Sequence, residues 1–143
     1  MSATTERNKA VVTGLVQAIN DDRPDLLPTW MADGFVDHNK IMFGEPDEPG
    51  AALEAVRTTL TAFAPYRIRV EEMLAEGDRV VVRFVQTGVN SGWHPRTPEP
   101  TGRAFENESI FVFTVRDGRI TELRGVADRM TMLTQLGVLP DLG

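Results

Sequence analysis

Phe105-Glu106-Asn107-Glu108-Ser109-Ile110-Phe111-Val112-Phe113-Thr114-Val115-Arg116, then Asp117-Gly118, then Arg119-Ile120-Thr121-Glu122-Leu123-Arg124-Gly125-Val126-Ala127, decides the fold. It reads as two long strands, Phe105–Arg116 and Ile120–Ala127, joined by a tight hairpin. Asp-Gly accepts the positive φ that a two-residue turn needs, and the flanks are rich in the β-branched and aromatic residues that suit a pleated surface. Upstream, Arg79–Thr87 carries Val80, Val81, Val82, Phe84 and Val85, apolar on both faces, which predicts an interior strand. Glu76-Gly77-Asp78 turns the chain into it from a half-buried strand in which Tyr66, Ile68 and Val70 alternate with Arg67, Arg69 and Glu71. The segment from Gly88 to Gly102 is a long loop holding Trp93.

The first half has a different period. Val12, Leu15, Val16 and Ile19 recur at the spacing of one helical face, which ends at Asn20-Asp21-Asp22. Asp22 can cap a second helix that has Pro24 in its first turn, runs through Leu26, Leu27, Trp30 and Met31, and is kept short by Pro28. Asp33-Gly34 breaks that pattern before a brief extended piece, Phe35-Val36-Asp37-His38-Asn39, and Gly44 to Gly50 is an acidic, proline-rich loop. Leu53, Val56, Leu60 and Phe63 mark a third helix, stopped by Pro65. A last short helix is expected from Arg129 to Leu136, closed by Gly137 in the left-handed region. Helices segregated from antiparallel strands, with no repeat or linker, predict one α+β domain over residues 1–143.

Composition narrows the chemistry. A chain of 143 residues is the length of one domain, and 41% hydrophobic residues suffice for a single core. A formal charge of −6 opposes binding to nucleic acid or to an anionic membrane surface. With no cysteine there is no disulfide frame, thiolate nucleophile or cysteine-ligated metal. No basic segment precedes an apolar stretch at the N-terminus, and the protein is expected in the cytosol. Neither a phosphate-cradling loop nor a nucleophile elbow around Ser2, Ser91 or Ser109 is present, and His38 and His94 lack metal-ligand spacing. No cofactor and no metal are therefore expected.

Carboxylate acid–base chemistry remains, and it needs apolar surroundings that lift a carboxylate toward neutral pH. Asp128 ends the last strand in phase with Val126 and Arg124 and would sit at the end of a pocket if that face lies under the helices. The same residue directly precedes the final helix and equally suits its N-cap. His38 lies between Asp37 and Asn39 at a strand-to-loop passage, where an assisting imidazole or a satisfied core histidine is expected. Trp93 and His94 belong to a loop that can act as a lid or simply be anchored by its aromatic ring. Arg83 and Arg124 can steady an enolate or pair with glutamates on the outer sheet face.

Several strings, in this order and spacing, resemble the SnoaL-like polyketide cyclases of the nuclear transport factor two-like superfamily: Phe35-Val36-Asp37-His38-Asn39, Gly44-Glu45-Pro46, Glu76-Gly77-Asp78-Arg79-Val80-Val81-Val82-Arg83, Pro100-Thr101-Gly102-Arg103, Asp117-Gly118-Arg119-Ile120, Asp128, and Gln135-Leu136-Gly137-Val138-Leu139-Pro140. The resemblance spans nearly the whole chain. It implies a cone-shaped, curved, mainly antiparallel sheet with N-terminal helices closing a deep pocket, assembled as a homodimer or homotetramer. It also implies intramolecular aldol ring closure of a hydrophobic, polycyclic aromatic polyketide intermediate, without cofactor. Asp128 matches the family's acid/base position, His38 would assist it, and Trp30, Phe35, Arg83, Trp93, Asn107 and Arg124 are the expected substrate contacts. Where relatives often carry Thr-His and a tryptophan, this chain has Val89-Asn90 and Arg124. Two other readings stay open: epoxide opening or ketosteroid-type proton transfer on the same scaffold, and a noncatalytic small-molecule binder.

Overall fold

The computed structural model describes residues 2–38 and 50–139. The expected Gly44-Glu45-Pro46 loop, Asn39 and Pro140 lie outside the described residues. Chain order runs α1 (Ala3–Asn20), a 3-10 turn (Pro24–Leu26), α2 (Leu27–Trp30), β1 (Met31–Asp37), α3 (Ala51–Ala62), β2 (Arg67–Glu76), β3 (Arg79–Val89), β4 (Ala104–Arg116), β5 (Arg119–Ala127) and α4 (Arg129–Leu136). The strands form one five-stranded sheet in the order β1-β5-β4-β3-β2. β2 through β5 are antiparallel neighbours, and β1 joins β5 in parallel.

The Asp117-Gly118 hairpin is present, with φ of 53° and 78° at its two residues. β3 is interior, as its two apolar faces require, and runs in unbroken register from Arg79↔Thr114 to Val89↔Ala104 with β4. Two expectations shift. Met31 starts β1 rather than ending α2, and β1 runs through Asp33-Gly34, because pairing with β5 supplies backbone partners that local propensity does not anticipate. In β2 the register slips between Val70 and Glu72, so inward packing passes from Ile68 to Met73 and Ala75. Such bulges bend a strand and sharpen its twist, and the sheet curves around the helices that cover it.

Helix α1 lays Val11, Val12, Leu15, Ala18 and Ile19 onto the inner face of the sheet, against a core that includes Val80, Val82, Phe84, Phe113 and Ile120. Burying each such aliphatic side chain is worth about 1.5–3 kcal/mol. This burial holds α1 in place despite its plain polar outer face. At the other end α4 buries Leu136 completely, starts at Asp128 and ends at Gly137 with φ 79°. Among the described residues no helix is long and apolar enough to cross a membrane.

Candidate functional site

Two cavities lie between the sheet and the helices among the described residues. The larger cavity, about 100 Å³, is walled by apolar residues including Leu15, Ile19, Phe35, Phe84, Phe111 and Leu123. The smaller, about 50 Å³, lies toward α4 and is lined by residues including His94, Arg96, Thr97, Asn107, Arg129 and Met132. Both exceed the roughly 10–15 Å³ that a single water requires. Thr59, Tyr66 and Gln86 line both cavities.

Strand phase explains which side chains arrive there. On β3, Val82, Phe84 and Gln86 follow one another on the inner face, and on β4 Phe105, Asn107, Ser109 and Phe111 do the same. Register sets Gln86 opposite Asn107 and Phe84 opposite Ser109. The result is a polar ladder in an apolar vault: Ser109 Oγ donates to Gln86 Oε1 at 2.8 Å, and Gln86 Nε2 donates to the Tyr66 hydroxyl. Burial raises the Tyr66 pKa far above its ordinary 10.0, so it remains a neutral phenol.

His94 comes from the β3–β4 loop, where its backbone bridges to Thr97 and its ring tilts against Phe63 at 5.1 Å. Its Nδ1 accepts from the Arg96 backbone N–H at 3.1 Å, which assigns the proton to Nε2. Burial, then the nearby charges of Arg96 and Arg129, lower its pKa from 6.5 to about 4, so at neutral pH it is an uncharged hydrogen-bond donor. Asn107 donates from Nδ2 to the Asp128 carbonyl oxygen at 3.3 Å, which fixes which way its amide faces. Its Oδ1 and the Thr97 hydroxyl are buried with no hydrogen-bond partner among the described residues. Asp37, at the end of β1, is the one acidic residue among the described residues lining either cavity.

The expected site is thus redistributed. Phe35 lines the larger cavity and Asn107 the smaller. Asp128, Val126 and Arg124 do share a face, but it is the outer one, because Leu123 is the buried member of that stretch and the strand alternates from it. The Asp128 carboxylate is exposed and caps α4, accepting from the Thr131 N–H at 3.1 Å and the Thr131 hydroxyl at 2.6 Å. Those bonds hold its pKa below the ordinary 3.8, the opposite of what a base at neutral pH needs. His38 projects outward, 3.5 Å from the Glu122 carboxylate, since Asp37 takes the inward place beside it. Arg83 is on the outer face, paired with Glu72 at 2.6 Å and Glu108 at 3.3 Å.

Trp93 is 59% exposed, whereas the neighbouring His94 is buried. Trp30 packs over Gly14, where a Cβ would come within 2.6 Å of the indole, and lines neither cavity. Asn90, at the Val89-Asn90 departure, is fully buried and ties the loop together: its Oδ1 accepts from the Thr101 N–H at 2.9 Å and its Nδ2 donates to the Gly92 carbonyl at 3.2 Å. Tyr66, Gln86, Ser109 and Asp37 were not among the expected site residues. For Gln86 and Ser109 the signal was in the sequence, as polar residues on the inward phase of strands rich in apolar residues.

The family model of the SnoaL-like polyketide cyclases matches residues 9–136. No curated protein matches. Among solved structures, TsrD from Streptomyces laurentii superposes with TM-score 0.81 at 19% identity, covering 97% of this chain and 99% of that one. AclR from Streptomyces galilaeus, assigned as a hydroxylase, gives TM-score 0.77 at 24% identity, covering 97% of this chain and 90% of that one. IdmH from Streptomyces antibioticus, assigned as a polyketide cyclase, gives TM-score 0.75 at 31% identity, covering 91% of this chain and 98% of that one. Matched over most of its length and sharing the helix-lined curved sheet, this chain belongs to the SnoaL-like polyketide cyclase family.

Proposed function

We propose that the protein closes a ring of an aromatic polyketide intermediate by intramolecular aldol condensation inside the larger cavity. The observation that carries this reading is an acidic residue, Asp37, lining a hollow whose other walls are almost entirely apolar and to which Tyr66 and Gln86 also contribute. A methylene between two carbonyl groups is acidic enough for a positioned carboxylate to take its proton. The electron pair left on carbon then attacks a second carbonyl carbon of the same molecule, forming the carbon–carbon bond, and the alkoxide so formed takes a proton back. Apolar walls hold the two ends close together and exclude water from the enolate. The Tyr66 hydroxyl, kept un-ionised by burial, is placed to donate a hydrogen bond to a carbonyl or enolate oxygen.

Asp128 has no part in this reading, since its carboxylate faces away from both cavities. The same base and donor would serve a ketosteroid-type proton transfer, so the deciding step is formation of the new carbon–carbon bond. The test is turnover of a linear poly-β-ketone precursor followed by mass spectrometry and NMR of the product. Asp37→Asn should abolish ring closure while binding of the cyclised product persists; full turnover by this variant would overturn the assignment.

We also propose that two copies pair through the outer face of the sheet. Register aligns Leu74, Val81, Val112 and Arg124 in one row and Glu72, Arg83, Ile110 and Val126 in the next. Leu74 is 64% exposed, Ile110 47% and Val126 74%, an apolar patch flanked by charges of both signs. A patch holding both Arg83 and its glutamates is complementary to itself about a two-fold axis.

A further inference from the structure

The smaller cavity is chemically unlike the larger one, and its two unpaired atoms say what it takes. Asn107 is 4% exposed and Thr97 2%, both line this chamber, and Asn107 Oδ1 and Thr97 Oγ1 have no hydrogen-bond partner among the described residues. A buried polar atom left unpaired has lost its water without compensation, so such an atom marks the place of a group that completes it. Oδ1 can only accept, because Nδ2 is committed to the Asp128 carbonyl and fixes the amide. Thr97 can donate or accept. A hydroxyl can supply a proton to the first and a lone pair to the second.

We propose that this chamber is a subsite for a phenolic or enolic hydroxyl on the substrate, whose apolar rings occupy the larger cavity and reach past Tyr66 and Gln86. The proposal rests on the reading that the cavities take an aromatic polyketide. Arg96 and Arg129 also line the chamber, and their positive charge favours electron-rich oxygen. A carboxylate would satisfy the arginines but bring no proton to Asn107 Oδ1, so the hydroxyl is the group that fits both orphaned atoms.

The experiment is isothermal titration of the wild-type protein with 6-hydroxy-1-tetralone, with 1-tetralone, and with the 6-carboxylate of the same ketone. The hydroxy compound is expected to bind about tenfold more tightly than 1-tetralone, the worth of one buried hydrogen bond. In Thr97→Val, which keeps the side-chain shape, and in Asn107→Ala that ratio should fall to about 1 while 1-tetralone binds as before. Equal affinity of hydroxy and parent compounds for the wild type, tighter binding of the carboxylate, or no binding of any of the three overturns the subsite. Because the readout is a ratio of binding constants, it stands or falls independently of turnover by Asp37→Asn.

Discussion

Asp128 and Thr131 are joined twice, the carboxylate receiving the backbone N–H of Thr131 at 3.1 Å and its hydroxyl at 2.6 Å. Both carboxylate oxygens are thereby committed to starting α4, the helix whose Leu136 seals the core beneath it. Asp128→Ala should therefore lower the melting temperature, and Asp128→Asn, an equally good cap, should largely preserve it. Both variants should retain turnover. Since the folded-state pKa lies below the ordinary value, the stabilisation is present above that value and fades as pH falls through the lowered one. A thermal melt series at acidic pH, with activity measured in parallel, checks both; loss of turnover in the Asn variant at unchanged stability would return Asp128 to catalysis.

His94 should impose a pH dependence of its own. Its folded-state pKa is depressed to about 4 from 6.5, so between these values the unfolded chain binds a proton that the native protein refuses. Stability must then rise with pH across that window and level off above it. Replacing His94 by Gln removes the titration while keeping a polar side chain, and should flatten this part of the profile. Urea unfolding at successive pH values from 4 to 7 reads the difference; an unchanged slope in the variant would mean the imidazole is protonated in place.

Much of the architecture was legible because its determinants are local. Asp117-Gly118, the two-faced apolar run of β3, and Gly137 after α4 each fix a backbone conformation within a few residues. The site was less legible because strand phase is relative. Arg124, Val126 and Asp128 can be placed on one face from spacing alone, but whether that face meets helices or solvent is settled by Leu123 being the residue that docks in the core. Likewise Asp37 and His38 are neighbours on opposite faces of β1, and only the pairing of Asp37 with Leu123 shows which one turns inward. Trp93 and His94 sit on a loop whose sequence suits either a lid or a loop anchored by its aromatic ring, and the loop divides them: Asn90 draws the loop down, the histidine is buried and the tryptophan stays out.

The outer face supplies a prediction about assembly. Ile110 and Val126 are directly paired on adjacent strands and both stand exposed. Changing Val126 to Glu places a charge in the middle of the proposed contact without touching the core, so the fold should survive and the dimer should not. Light scattering coupled to size exclusion should report a dimer for the wild type and a monomer for Val126→Glu. A wild type that runs as a monomer at all concentrations, or a variant that stays dimeric, would show that the copies do not meet on this face.

The polar ladder should behave as one unit. Ser109 is 1% exposed, and its hydroxyl is the donor to Gln86 Oε1, while the other end of the same amide donates to Tyr66. Ser109→Ala strands that oxygen and should cost about 1–3 kcal/mol, whereas Gln86→Leu in the Ser109→Ala background removes the stranded group and should recover part of the loss. The double-mutant cycle is expected to show coupling of about 0.5–3 kcal/mol. Turnover should follow the position of the phenol rather than stability: with Gln86 no longer held from below, Tyr66 loses its orientation and kcat should fall more than KM rises. If Ser109→Ala lowers stability but leaves kcat intact, the ladder is a structural clasp and the donor to the reacting oxygen lies elsewhere in the vault.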